Sequence, residues 1–310
     1  MKSISRAVWS AFGIGVFIGA LLAASLSGVW DGQLLRALLP HVITAVVVYV
    51  LVDQTYLRRY SATQSQELRT RLLQQVAGQS NHLAMQGIRD MRTHGWLTGE
   101  DGLLAGSDLT NADLHDIDLS NAQLTGVRLG GATLHGANFT EAAMKDAELF
   151  SASMKGAVFI GADLSGANMF GAKLTRATLR EAKCAGADFS YAAMDTADCD
   201  GVDFSEAKLL STTLRGTGLR GANLRGATLT NTDLMNADLT DAQLDQTTIL
   251  PDGTTWTPQT DLGRFTDSDH TDFWRSASKL SPAYVQDDRK SADTGSKPLF
   301  NITFPQERGE

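Results

Sequence analysis

Every fifth residue of this chain is apolar from Leu104 to Ile249, without a change of phase. Two residues before each apolar position stands a small residue, usually alanine, as at Ala112 and Ala162. A period of five matches neither the 3.6-residue period of an α-helix nor the two-residue period of a strand. A chain that turns a corner after every five residues satisfies this pattern, because one large and one small residue of each repeat then point inward.

The repeat unit is illustrated by Ala162-Asp163-Leu164-Ser165-Gly166 and resembles the pentapeptide repeat family. The resemblance implies a β-solenoid fold, a right-handed quadrilateral parallel β-helix with four repeats in each coil. We place this domain at residues 102–257. Its end is predicted to be a cap, because Pro251 cannot donate a hydrogen bond to a next coil and Trp256 can cover the open end.

Two apolar runs at the amino terminus predict a transmembrane helical hairpin over residues 1–57. The first run, residues 8–30, carries no charged residue and is long enough to cross a bilayer as a helix. The second run covers residues 37–57. A cleaved signal peptide is the competing interpretation, but the first run is longer than a signal core and a second run follows at once.

Basic residues flank this hairpin at Lys2 and Arg6 before it and at Arg58 and Arg59 after it. The positive-inside rule then places both termini and the repeat domain in the cytoplasm, and we expect an integral protein of a bacterial inner membrane.

Small residues recur along one face of the first run at every fourth position. They are Gly15, Gly19, Ala23 and Ser27. Small residues at this spacing let two helices approach closely in lipid. The pattern fits packing within the hairpin and self-association of protomers equally well, so both alternatives remain open.

Two segments flank the repeats. Residues 58–101 are predicted to form a helical neck and a loop, because apolar residues recur at helical spacing. These residues are Leu68, Leu72, Val76, Leu83, Ile88 and Met91. Residues 258–310 are polar, with few apolar anchors, and are predicted to be a largely irregular tail.

No set of residues predicts catalysis. Cys184 and Cys199 occupy inward positions of the repeat and are expected to be core residues rather than nucleophiles. His115 and His135 fall on one face, but two histidines without a third ligand do not define a metal site. Ser276 begins a serine-nucleophile pattern in a segment without a scaffold around it. We therefore predict a protein that is not an enzyme and that has no catalytic residue, cofactor or metal.

Charged residues twenty positions apart are expected to stack on neighbouring coils. This spacing puts Asp108 beside Arg128, and Asp200 between Arg180 and Arg220. Opposite charges on adjacent strands stabilise a sheet, so these acidic clusters are interpreted as structural ladders.

One outward column of the repeat is apolar. Phe150 and Phe170 lie twenty residues apart, and Leu210 continues the column two coils further on. Exposed apolar pairs can mark a binding surface, which makes this column the candidate protein-interaction face. The alternative is that the tail or the neck covers it.

These observations favour a membrane-anchored, non-enzymatic scaffold that binds an unknown protein partner, besides the lipid bilayer that holds it. Some proteins of the family imitate duplex DNA and bind DNA gyrase, and the net charge of −8 is compatible with that alternative. The opposite charges predicted along the columns oppose it. A self-assembling or transport-associated membrane protein is a third hypothesis. Binding of nucleic acid is not expected.

Overall fold

The computed structural model describes residues 66–78, 80–99, 102–279 and 281–283. The predicted hairpin at residues 8–30 and 37–57, with the small-residue face of Gly15, Gly19, Ala23 and Ser27, lies outside these residues. None of the helices in the described part of the chain has the length and hydrophobicity that a bilayer crossing requires.

The repeat domain is a four-sided solenoid whose strands are single bridge residues. Each of these residues pairs in parallel with the residue twenty positions later, from Asp108 with Arg128 to Asn223 with Gln243. The pairing joins neighbouring coils through two hydrogen bonds on each side. The Leu109 N–H donates to the Arg128 carbonyl at 2.7 Å, and the Arg128 N–H donates to the Ser107 carbonyl at 2.9 Å. The predicted quadrilateral β-helix is confirmed.

Each corner of the coil is a tight turn of four residues. In the turn that begins at Leu109, the Ala112 N–H donates to the Leu109 carbonyl at 3.1 Å, and Asn111 has a φ of 58°. A positive φ at the third residue is the property of a type II turn. Every fifth residue from 106 to 241 has a positive φ, and glycine or a short polar residue usually occupies the position. The turns therefore explain why the repeats are rich in such residues.

The core consists of stacked columns of large and small apolar side chains. Phe139 stacks on Phe159 in the next coil with ring centroids 4.9 Å apart, and both rings are buried. Where threonine replaces the inward alanine, its hydroxyl finds a partner in the core. The Thr212 Oγ1 donates to the Phe189 carbonyl at 2.8 Å, so burial leaves no unsatisfied hydroxyl at this position.

The last coil contains one extra residue, so the predicted five-residue spacing of buried positions does not hold at Ile249. Thr228 pairs with Ile249 rather than with residue 248, so Ile249 points outward and Leu250 is the buried residue. The Thr248 Oγ1 donates to the Leu224 carbonyl across 24 residues, where the corresponding bonds of earlier coils span 23. Ile249 and Leu250 are both apolar, so the spacing of apolar residues did not reveal the insertion.

Two helices precede the solenoid, α1 at residues 66–77 and α2 at Asn81–Thr93. The predicted helical stripe is broken at Gly78, where α1 ends. Ile88 and Met91 on α2 are buried, but Leu83 is 43% exposed.

Helix α2 and the loop after it close the first coil. In interior coils the corner carbonyls accept hydrogen bonds from the coil before, as the His135 carbonyl accepts the Asp116 N–H at 2.8 Å. The first coil has no predecessor, and residues from 81–97 supply the missing partners. These bonds are Asn81 Nδ2 to the His115 carbonyl at 2.8 Å, Arg92 Nη2 to the Asp118 carbonyl at 3.0 Å, and the Gln123 N–H to the Leu97 carbonyl at 2.7 Å.

The described part of the tail folds onto the last coil. Its only helix among residues 258–279 and 281–283 is α3, the single turn Gly263–Thr266. Phe265 is buried and lies edge-to-face with Trp274 at 5.9 Å. The Thr266 carbonyl accepts the Asn236 N–H at 2.7 Å and so takes the place of a next coil at that corner.

Candidate protein-interaction surface

One corner of the solenoid presents aromatic side chains to solvent. Phe150 and Phe170 are 41% and 39% exposed and occupy the same corner position in successive coils. Tyr191, in the adjoining corner position of the next coil, is 45% exposed, and its ring centroid lies 5.2 Å from that of Phe170. Phe150, Phe170 and Tyr191 form the aromatic ridge. Leu210 continues the predicted column one coil beyond Tyr191 but is half-buried.

Local structure fixes the position of the ridge. The Phe150 ring lies against the backbone of Gly130, its counterpart in the preceding coil, and a Cβ at Gly130 would collide with the ring. The Phe170 N–H donates to Asn168 Oδ1 at 3.1 Å, which holds the corner in an Asx turn. The aromatic side chains therefore project from a backbone whose conformation is fixed by these local contacts.

Tyr191 is in an unusual backbone conformation for an aromatic residue. Its φ is 61°, a value that costs about 1–3 kcal/mol for a bulky side chain. The same position in the preceding coil is Gly171, with a φ of 65°. A twenty-residue spacing does not predict the place of Tyr191 in the ridge, because Tyr191 contacts Phe170 across 21 positions. An aromatic residue at a left-handed turn position was the available signal.

The diagonally opposite corner offers a single exposed apolar residue. Ile160 is 39% exposed and lies half a coil from both Phe150 and Phe170. The same corner position holds Thr140 in the coil before and Arg180 in the coil after. The exposed apolar side chains at the two corners have similar exposed fractions. Only the first corner joins aromatic side chains into a continuous surface.

The acidic residues of the surface are engaged in the structure. Asp108 forms an ion pair with Arg128 at 2.9 Å, as the predicted ladder requires. The hydroxyl of Thr110 donates to Asp108, and this bond, followed by the Arg128 guanidinium, lowers the pKa of Asp108 to about 2. The carboxylate is thus held in its charged form by local contacts.

Arg180, Asp200 and Arg220 occupy the same corner position in successive coils, as predicted, but Asp200 is not the ion-pair partner of either arginine. Arg180 pairs with Asp198 at 3.6 Å, and Arg220 pairs with Asp238 at 3.4 Å. Asp200 instead accepts the backbone N–H of Arg220 at 3.1 Å. Each guanidinium therefore reaches an aspartate in the next coil that stands two residues before its own corner position.

The residues with reactive side chains serve structural roles. Cys184 and Cys199 are buried, and desolvation raises the pKa of both thiols. Ser276 donates its hydroxyl to Asn231 Oδ1 at 3.0 Å. His115 is bonded to Asp113 at 2.7 Å, and this bond raises the pKa of His115. The described ranges contain no group of three residues that could hold a metal ion.

The repeat region matches a known family, and solved structures are similar to it. The model of the family described as pentapeptide repeats matches in eight copies over residues 103–249. No curated protein sequence matches this chain.

Three solved structures illustrate the likeness. Rfr23, a pentapeptide repeat protein from the cyanobacterium Cyanothece 51142, is 30% identical over 30% of this chain and 63% of its own, with a TM-score of 0.30. This chain therefore spans less than two thirds of Rfr23. HetL from Nostoc sp. strain PCC 7120, involved in heterocyst differentiation regulation, is 23% identical over 55% of this chain and 98% of its own, with a TM-score of 0.27. QnrB1, a plasmid-mediated fluoroquinolone resistance protein, is 21% identical over 46% of this chain and 84% of its own, with a TM-score of 0.28.

The family match and the observed fold agree on the same segment. Five-residue repeats, a twenty-residue register and inward columns of large and small residues all fall within residues 103–249. Residues 103–249 therefore match the pentapeptide repeat family, whose fold is the right-handed quadrilateral β-helix.

Proposed function

We propose that this chain is a non-enzymatic scaffold that binds a partner protein through the aromatic ridge. The observation that carries the proposal is the exposure of Phe150, Phe170 and Tyr191 on one corner of the solenoid. Aromatic residues on a fixed backbone lose little conformational entropy on binding and are common hot spots of protein interfaces. The partner that fits is a protein with an apolar groove.

The proposal includes a tether to a membrane. Residues 8–30 and 37–57 would hold the scaffold at the cytoplasmic surface of a bacterial inner membrane, and this part rests on the sequence pattern alone. A stiff solenoid at such a surface would concentrate its partner there. Reporter fusions at both termini test the orientation, and a reporter outside the cytoplasm would contradict it.

Imitation of DNA finds less support. A DNA mimic needs lines of free negative charge, but Asp108 is paired with Arg128 and Asp188 with Lys208. Several other carboxylates accept backbone N–H groups at the corners, as Asp163 does from Ser165 at 3.0 Å. An interaction with gyrase is therefore the second candidate, and the binding experiment below distinguishes it.

The test compares ridge variants of the full-length protein in affinity purification from native membranes. Phe150→Asp combined with Phe170→Asp should abolish recovery of the partner, because a charge replaces each apolar contact. Loss of a hot-spot residue weakens binding by about 2 kcal/mol or more, roughly thirtyfold. Tyr191→Asn should weaken the same interaction without loss of stability, since asparagine tolerates a positive φ.

The matched control for each single substitution is Ile160→Asp, which introduces one negative charge at the exposure of Phe170 on the opposite corner. A partner of the ridge is retained by the control and lost from the Phe150/Phe170 variant. Equal recovery by both variants would remove the ridge from the proposal. Recovery of gyrase subunits that is insensitive to both substitutions would favour the second candidate.

A further inference from the structure

Within the described residues, two sides of the last coil, those of Leu239 and Leu244, have no partner strand. In the coil before it, the N–H groups of Leu219 and Leu224 donate to the carbonyls of Asp238 and Gln243 at 2.9 and 2.8 Å. The equivalent N–H groups of the last coil belong to Leu239 and Leu244. No residue in the described ranges accepts a hydrogen bond from either of them.

The carbonyl groups of this edge are also free to accept. The Ala222 carbonyl of the coil before accepts the Gln243 N–H at 2.8 Å, and its equivalent in the last coil is the carbonyl of Ala242. None of the described residues donates to Ala242. Donors and acceptors therefore alternate along residues 237–244, which is the arrangement of an unpaired strand edge.

The side chains at this edge are incompletely covered. Leu219 and Leu224 are fully buried, whereas Leu239 and Leu244 are only half-buried. Leu244 lines a groove together with Trp256 and Pro258. An exposed apolar strip beside unpaired backbone groups is the surface to which an extended chain adds as a further strand.

The carboxyl-terminal chain is already anchored at this end of the solenoid. The Ser281 hydroxyl donates to the Asn231 carbonyl at 2.7 Å, and Arg215 Nη2 donates to the Pro282 carbonyl at 3.0 Å. Both contacts lie on the closed sides of the last two coils. Residues 284–298 can extend about 50 Å at about 3.3 Å per residue, several times the length of one five-residue side.

One segment beyond this anchor has the pattern of an edge strand. Phe300, Ile302 and Phe304 alternate with polar residues, and Pro298 and Pro305 bracket the segment. An extended chain of this sequence places the three apolar side chains on one face. Proline is compatible with the ends of an edge strand but not with its paired interior.

The segment carries no charge that would oppose docking. Asp241 and Asp245 stand beside the open edge, and residues 299–304 contain no acidic residue. Like charges therefore do not face each other in the proposed pairing.

We propose that the segment Leu299–Phe304 of this same chain adds as an extended strand to the open edge at residues 237–244. Phe300, Ile302 and Phe304 would cover Leu239 and Leu244, and the segment's backbone would pair with the free groups of the edge. The segment completes the cap that the folded tail begins, and this inference is independent of the aromatic ridge.

Hydrogen–deuterium exchange of the full-length protein tests the inference at the amides of Leu239 and Leu244, whose N–H groups have no acceptor among the described residues. The variant Phe300→Ser, Ile302→Ser, Phe304→Ser removes the apolar face of the segment. We expect these amides to exchange at least about tenfold faster in the variant than in the unchanged protein, because the edge then lacks its partner strand. Exchange of the Leu164 amide, in the middle of the solenoid, reports that the fold is intact.

The matched control is Asn301→Ser with Thr303→Ser, which alters the polar face of the same segment and should leave the protection unchanged. Rapid exchange of the Leu239 and Leu244 amides in the unchanged protein would overturn the inference. Protection that survives in the triple variant would overturn it as well. Protection that increases with protein concentration, together with a doubled molecular mass, would assign the edge to a second copy of the chain instead.

Discussion

The two ends of the solenoid are closed to different extents. At the amino-terminal end, residues 81–97 supply hydrogen-bond partners on three successive sides of the first coil. At the carboxyl-terminal end, residues 249–251 and the folded tail cover two sides. The sides that carry Leu239 and Leu244 have no partner strand among the described residues.

This difference shows that the repeats specify their own stacking but not their termination. Every interior coil pairs with two neighbours through the same bonds, so nothing within a repeat marks it as the last. Each end therefore needs residues outside the repeat pattern, namely a helix at one end and an inserted residue with a folded tail at the other.

The largest effect is expected where the closed end depends on a buried side chain. Met91→Ala leaves a cavity beneath the buried face of α2 and should cost about 2–5 kcal/mol of unfolding free energy. Leu83→Ala, on the exposed side of the same helix, should change it by less than about 0.5 kcal/mol. Denaturant unfolding of both variants measures the difference. Equal stabilities would mean that α2 does not seal this end.

A smaller effect is expected for the polar part of the same cap. Arg92→Ala removes a hydrogen bond to the Asp118 carbonyl and an ion pair with the Asp118 carboxylate at 3.3 Å, at a cost of about 0.5–1.5 kcal/mol. Arg89→Ala, at an exposed position on α2, is the matched control and should be nearly neutral. Thermal unfolding compares the two, and a greater loss for Arg89→Ala would contradict the assigned contact.

The smallest effect concerns the acid stability of the first coil. The pKa of Asp108 is about 2 in the folded protein, below its ordinary value of 3.8. A lowered folded-state pKa stabilises the fold above the unfolded value, and this contribution disappears as the pH falls from 3.8 to about 2. Asp108→Asn should therefore flatten the stability profile in this window.

An NMR titration of the Asp108 carboxyl group checks the cause. Thr110→Ala removes the hydroxyl that contributes most to the shift, so the titration midpoint should move toward 3.8. An unchanged midpoint would show that another group holds the carboxylate.

Much of the fold could be predicted from the sequence, because the structure of each repeat depends on residues close together in the chain. Each five-residue unit contains its own turn and its own inward pair, so the spacing from Leu104 onward sufficed to predict the solenoid and the buried positions of Cys184 and Cys199. The exposure of Phe150 and Phe170 followed from the same arithmetic. Tyr191 did not, because its contact with Phe170 crosses from one corner position to the next.

The sequence alone determined the coil, its core columns and the outward aromatic column, since these depend on side chains a fixed number of residues apart. Only the tertiary structure decided which of Ile249 and Leu250 enters the core, which carboxylate each arginine reaches, and how α2 and the tail close the ends. These features depend on contacts between residues with no fixed separation, such as Asn81 with His115. Their partners are selected by the shape and free hydrogen-bonding groups of the finished coil, and that surface exists only after the repeats have stacked.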